Sequence, residues 1–185
     1  MKTLFTIHAG EFLVASKIKE EIQGGNVWVP VADLGVDLLV TDTQNKRTIS
    51  LQVKSSRGYE PKELDEGLRN NLKGCGWWHL ERRKIQNSKA DFWAFVVLPI
   101  KGVPQYILIS PGELERRLTV IHGTRLRWDM YLWVTDQEKC WETRGLGKPD
   151  LTLVATNQYS HEERGFTEYL NCWSVLKRKL SSGTR

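Results

Sequence analysis

The 185-residue sequence predicts an α/β fold with a central mixed sheet flanked by helices. Three observations carry this prediction. Residues 11–23 repeat apolar side chains at helical spacing. Residues 48–55 alternate apolar and polar side chains, which is typical of a half-buried strand. Residues 92–98 form an almost continuous apolar run, which indicates a strand covered on both faces.

The composition is that of a globular protein, with 40% hydrophobic and 26% charged residues. The net charge of +5 permits a polyanionic partner without requiring one. The three cysteines are far apart and form no Cys-x-x-Cys, so neither a zinc knuckle nor a disulfide framework is supported. No segment is apolar enough for a signal peptide or a membrane span, so we expect a cytoplasmic protein that has no membrane partner.

The first predicted helix ends at Gly24, because glycine favours the left-handed conformation after a helix. A short strand at 26–30 follows, and then a hairpin of two strands, 35–41 and 48–55, joined by a polar turn. In the second strand of the hairpin, three apolar side chains share one face and four polar ones share the other. The apolar set is Ile49, Leu51 and Val53, and the polar set is Thr48, Ser50, Gln52 and Lys54.

Downstream of the hairpin the pattern predicts a weak helix, a short strand, a loop or frayed helix, two neighbouring strands and a capped helix. These elements are placed at 64–72, 77–80, 81–89, 92–98, 106–109 and 112–118. Ser110 and Pro111 begin the last of them, as an N-cap followed by a proline at the first helical position. Together with the first helix and the hairpin, these elements make up a predicted core domain at 1–120.

Residues 121–185 are predicted to be a tryptophan-rich extension packed on that core. The extension begins with a strand-like segment at 127–133 and ends with a helix at 161–180. In that helix Phe166, Leu170 and Trp173 are spaced for one face. Three roles stay open for the extension: a recognition element, a dimer surface or additional core.

A candidate polar site is formed by the first helix and the hairpin. Glu11 falls on the apolar side of the helix, where it is either a solvated first-turn acid favoured by the helix dipole or an inward-facing metal ligand. Asp37 lies near the start of the first hairpin strand, and Gln52 and Lys54 are neighbours on the polar face of the second. The hairpin brings an acid, a carboxamide and a lysine close together, which suggests a divalent metal beside an anionic substrate.

The segments GEFLVASKIKEE, GVDLLV and LQVKSS, in this order, resemble the PD-(D/E)XK nuclease superfamily in its Q-x-K variant. The resemblance covers residues 10–118 and implies a restriction-endonuclease-like fold. It also implies a Mg²⁺- or Mn²⁺-dependent endonuclease that hydrolyses DNA. Two departures are visible: Gly-Val-Asp replaces the proline-aspartate pair, and Gln52 replaces the usual second acid. Because Gln52 is neutral, we expect weaker metal binding than a glutamate would give.

The resemblance implies a role for each site residue. Asp37 would be the main metal carboxylate, with Glu11 as a second one, bound directly or through water. Gln52 would contribute its carbonyl oxygen or orient a water, and the backbone carbonyl of Val53 would also face the metal. Lys54 would contact the attacking water or the scissile phosphate.

Several residues outside this set are weaker candidates for contacts with nucleic acid. They are Ser55, Ser56, Arg57, Arg82, Arg83, Lys84, Arg125 and Arg127, all of which are also consistent with ordinary loop or surface positions. Stacking on bases is open to Tyr59, Trp77, Trp78 and His79, although a place in the core is the commoner outcome for such aromatic residues. Two other functions remain open: a non-catalytic member that binds nucleic acid or a protein, and an RNA-cleaving or toxin-like effector. A homodimer is compatible with the nuclease function, because cutting both strands often uses two active sites.

Overall fold

The computed structural model of the protein describes residues 9–31, 34–56, 58–100 and 102–181. It is a mixed α/β structure with a five-stranded sheet, a three-stranded sheet and helices packed on them. The predicted α/β class, with a mixed sheet flanked by helices, is confirmed. Within the described residues, no helix is long and apolar enough to cross a membrane.

The five-stranded sheet holds the predicted hairpin near its centre. Its strands, in spatial order, are β1 (Asn26–Trp28), β2 (Leu38–Thr41), β3 (Thr48–Ser56), β5 (Phe92–Val97) and β6 (Gln105–Ile109). The β3–β5 pair is parallel and the other pairs are antiparallel, so the sheet is mixed. The β5 strand is buried along its whole length, as its continuous apolar run predicts.

Two helices cover one face of this sheet. They are α1 (Ala9–Glu21) and α6 (Ser174–Ser181). Val14 and Ile18 of α1 pack in one cluster with Leu51 and Val53 of β3 and with Leu176 of α6. The predicted alternation of β3 is confirmed, because its apolar side chains are buried while Gln52 and Lys54 on the other face are only half-buried.

The three-stranded sheet and the remaining helices lie on the other side. This sheet has the spatial order β4 (Leu72–Glu81), β7 (Arg127–Thr135) and β8 (Cys140–Glu142). The helices are α2 (Glu66–Arg69), α3 (Arg82–Gln86), α4 (Pro111–His122) and α5 (Lys148–Ala155). Trp78 of β4 meets Phe95 of β5 edge to face, with ring centroids 5.1 Å apart, so the two sheets share a core. The antiparallel β4–β7 pair therefore joins the predicted core segment to the predicted extension.

The prediction of one helix over 161–180 is wrong, since only Ser174–Ser181 is α-helical and Thr167–Tyr169 forms a short 3₁₀ helix. Arg117 of α4 explains the difference: its Nη1 donates to the carbonyl oxygens of Glu162, Glu163 and Gly165 at 3.0, 3.1 and 2.8 Å. Those carbonyl oxygens would otherwise accept helical hydrogen bonds. Asn171, with a φ of 49°, also interrupts any regular helix.

Other elements differ from the predictions mainly in length. The short strand at 77–80 is part of the ten-residue β4, and the first hairpin strand begins at Leu38 rather than at residue 35. The helix α5 follows a turn and was not predicted. The predicted cap of α4 is confirmed, because the Ser110 side chain accepts a hydrogen bond from Glu113 N and Pro111 begins the helix.

Candidate functional site

An open cleft of about 600 Å³ lies where β2 begins beside β3. Residues from α1, the β2 end, β3 and the α3 region line it. Every residue predicted as catalytic or metal-binding is among them, namely Glu11, Asp37, Gln52, Val53 and Lys54. The fold therefore brings together side chains that the sequence separates into three segments.

Asp37 is held against β3 by two hydrogen bonds. Its backbone N–H donates to the Leu51 carbonyl oxygen at 2.8 Å, and its Oδ2 accepts from the Val53 N–H at 2.6 Å. The Asp37 carboxylate thus accepts a backbone N–H of β3 that would bond to a β2 carbonyl oxygen if β2 were longer. Since the N–H and C=O of one residue in an extended strand point toward the same side, the Val53 carbonyl points to the β2 side of β3.

Gln52 and Lys54 lie on the same face of β3, each only half-buried. Their partners across the parallel pair are Trp93 and Phe95 of β5. Lys54 Nζ lies 5.6 Å from the centre of the Trp93 ring, a distance at which the ring attracts the ammonium group. The strand thus aims an amide and a cation into the cleft from adjacent positions on one face.

Glu11 lies in the first turn of α1, and this turn approaches β3 very closely. A side chain at Gly10 would place its Cβ only 2.7 Å from Ser55 Cβ, so glycine is required for this approach. The close contact brings Glu11 to the wall of the cleft. Glu11 is half-buried, and both of its predicted roles, a solvated first-turn acid and a metal ligand, stay predictions.

The opposite wall is formed by the α3 region, which the sequence indicated only as a basic cluster. Its lining residues include three cations, Arg83, Lys84 and Lys89. Arg82, by contrast, turns away and donates from Nε to Glu115 Oε1 at 2.9 Å. Lys84 Nζ lies 3.1 Å from Glu81 Oε1 in an exposed pair. The alternating apolar and polar side chains of β3 could not predict this wall, because α3 meets the hairpin only in the folded chain.

Three further candidates for phosphate contact have different surroundings. Ser55 is exposed beside Gly10, whereas Ser56 is buried and its Oγ accepts from the Trp77 N–H at 3.0 Å. Arg57 lies outside the described residues. Contact between these residues and nucleic acid stays a prediction.

The oxygen atoms around the cleft suit a hard divalent cation. Mg²⁺ prefers carboxylate and carbonyl oxygens, which Glu11, Asp37, Gln52 and the Val53 backbone offer. Only two of these groups are acids, and no group of three or more His, Cys, Asp or Glu side chains suited to a metal occurs in the described part of the chain. These donors are of the oxygen type that Mg²⁺ and Mn²⁺ prefer, and a metal in the cleft stays a prediction.

Comparison with known proteins returned no match to this chain among family models, curated proteins or solved structures.

Proposed function

We propose that the protein is a metal-dependent endonuclease that hydrolyses phosphodiester bonds in DNA, on a restriction-endonuclease-like fold. The observation that supports it best is the convergence of Glu11, Asp37, Gln52, Val53 and Lys54 on one cleft. These residues come from the three segments that carry the resemblance to PD-(D/E)XK nucleases.

In this proposal the oxygens of Asp37, Glu11, Gln52 and Val53 hold one Mg²⁺ or Mn²⁺. When bound, such an ion polarises a phosphate and makes a nearby water more acidic. The hydrogen bond from the Val53 N–H keeps the Asp37 carboxylate in a single orientation. Metal binding then requires little reordering of this side chain.

Two sets of cations act on the phosphodiester. The Lys54 ammonium group, on the floor of the cleft, stabilises the negative charge that grows on the phosphate in the transition state. Arg83, Lys84 and Lys89, on the opposite wall, attract the backbone and set its direction across the cleft. The substrate thus lies between an acidic edge and a basic wall.

The test is cleavage of supercoiled plasmid with Mg²⁺, Mn²⁺ or EDTA. Asp37→Asn keeps an oxygen for the Val53 N–H but removes the charge, and Lys54→Met removes the cation. We expect each change to lower the EDTA-sensitive cleavage rate by about 10²-fold or more. Matched controls come from the turn of the same hairpin, where Asp42→Asn and Lys46→Met should leave the rate unchanged. Full activity of Lys54→Met would exclude the proposed site.

A second function is favoured by one observation, the neutral Gln52 at the position of the expected acid. In that case the same cleft binds nucleic acid or a protein without cutting. A salt-dependent mobility shift of DNA, with no cleavage under any divalent ion, would support this alternative. Cleavage of RNA alone would instead support the RNA-cleaving effector. Light scattering of the protein on duplex DNA would test the homodimer.

A further inference from the structure

An exposed aromatic pair lies on the outer face of the three-stranded sheet. Trp77 of β4 is 47% exposed, although a large aromatic side chain usually gains from burial. Its ring is stacked with that of Tyr131 in β7, with centroids 6.3 Å apart and planes 24° from parallel. The proposed endonuclease cleft does not use either ring.

The pair is contacted by Tyr59 and flanked by a cation. Tyr59 meets Tyr131 edge to face at 5.9 Å, and its own hydroxyl accepts from Trp133 Nε1 at 2.7 Å. The Arg144 guanidinium lies 5.3 Å from the centre of the Tyr131 ring. Aromatic faces beside an arginine bind the flat, electron-rich surfaces of nucleobases.

Asp129 of β7, an acid near the aromatic pair, is itself paired. Asp129 Oδ1 lies 2.7 Å from His79 Nδ1, and Oδ2 lies 3.8 Å from Arg144. Its charge is therefore partly offset by two basic neighbours. The surface next to the aromatic pair can accept a phosphate backbone.

The strand that carries Trp77 contacts the end of β3, a strand that lines the cleft. The backbone N–H of Trp77 donates to Ser56 Oγ at 3.0 Å, and Ser56 is the last residue of β3. Lys54 precedes Ser56 by two residues, which in a strand is about 7 Å. The backbone of Trp77 therefore lies near this end of the cleft, and its ring projects from the outer face of the three-stranded sheet. A nucleic acid strand has to continue beyond the cleft to reach that ring.

We propose that Trp77 and Tyr131, with Arg144, form a stacking platform for unpaired nucleobases. The preferred substrate then carries a single-stranded segment that extends beyond the phosphodiester held in the cleft. The bases of a duplex are stacked on one another and cannot reach such a platform. The inference rests on the proposed function in taking nucleic acid as the ligand of the cleft.

The test is binding, measured in EDTA so that no cleavage occurs. Fluorescence anisotropy would compare a labelled oligothymidine of about 20 nucleotides with a blunt duplex of the same length. Trp77→Thr removes the ring but keeps a residue with high strand propensity. We expect it to weaken binding of the single strand by about fivefold to a hundredfold and binding of the duplex by much less.

Two further variants make the result specific. Trp77→Phe keeps a ring and should retain most of the affinity for the single strand. Trp28→Thr changes a tryptophan that is 52% exposed on β1, beside a separate groove, and should leave the affinity unchanged. Circular dichroism of each variant would check that the fold is intact.

Any one of three results would contradict the stacking platform. They are equal affinity of the wild type for both probes, no binding of either probe, and an unchanged affinity for the single strand in Trp77→Thr. Failure of the stacking platform is distinct from failure of the nuclease proposal. If the protein binds the single strand through Trp77 but never cuts plasmid, the result supports the stacking platform and contradicts the catalytic function. If the protein cuts plasmid but binds the single strand equally well without Trp77, the result supports the catalytic function and contradicts the stacking platform.

Discussion

The cleft and the region around Glu142 both gather charged groups, but they differ in what surrounds those groups. Glu142 is fully buried, and its oxygens accept from Arg164 Nη1 at 2.6 Å and from the Arg144 N–H at 3.0 Å. His122 Nε2 lies 3.3 Å from Glu142 Oε1, though outside hydrogen-bonding geometry. In the cleft, Asp37 and Lys54 are half-buried and border an open space of about 600 Å³.

This difference separates charges that hold the fold from charges that can act on a ligand. The partners of Glu142 come from the protein itself, so the group has no room for an external molecule. The cleft combines acids, an amide and cations around solvent-filled space, and a ligand there can add contacts. Variants in the two regions should therefore divide cleanly between stability and activity.

The largest effect on stability is expected from Arg164→Leu. This change leaves the buried carboxylate of Glu142 without its arginine, which lowers the free energy of unfolding by about 3–5 kcal/mol. Urea denaturation followed by circular dichroism measures the loss. Arg125→Leu, at an exposed arginine, is the matched control and should change stability by less than about 0.5 kcal/mol. A loss of plasmid cleavage by folded Arg164→Leu protein would contradict the division between the two regions.

A smaller effect of about 2 kcal/mol is expected from Glu113→Gln at neutral pH. Arg116, Arg117 and Tyr169 donate hydrogen bonds to Glu113 and lower the pKa of its carboxyl to about 2, Arg116 having the largest influence. Because the folded pKa lies below the unfolded value of about 4.5, this stabilisation is present above pH 4.5 and is lost toward pH 2.

Urea denaturation at several pH values checks this dependence. The difference between wild type and Glu113→Gln should shrink steadily as the pH falls below about 4.5. The exposed Glu66 supplies the control, since Glu66→Gln should change the free energy of unfolding by less than about 0.5 kcal/mol at neutral pH. A difference in the free energy of unfolding between wild type and Glu113→Gln that stayed constant down to acid pH would rule out an ionic role for Glu113.

The smallest effect is expected from Gln52→Glu in the cleft. An added carboxylate should tighten Mg²⁺ binding by roughly threefold to tenfold through its attraction for the cation. Isothermal titration calorimetry measures the change, with Gln44→Glu in the exposed hairpin turn as the control. Weaker Mg²⁺ binding by Gln52→Glu would show that Gln52 does not face the metal. Stability should hardly change, because position 52 is only half-buried.

Much of the candidate site could be predicted from the sequence because its pattern is local. The alternation of β3 places Gln52 and Lys54 on one face whatever the rest of the chain does, and the burial of Leu51 and Val53 follows from the same period. The prediction that Asp37 lies close to Gln52 and Lys54 required only the hairpin. The apolar spacing of α1 indicated the side on which Glu11 falls.

The features that the sequence did not predict depend on contacts between residues that are far apart in the sequence. Arg117 binds the carbonyl oxygens of Glu162, Glu163 and Gly165 and prevents the helix that the apolar spacing predicted. The basic wall formed by Arg83 and Lys84 exists because α3 folds across from the hairpin, and Trp77 is exposed because β4 turns its other face to β5. Local periodicity determined which side chains share a face. Only tertiary packing decided which of those faces is covered, since burial is set by elements that the local sequence does not contain.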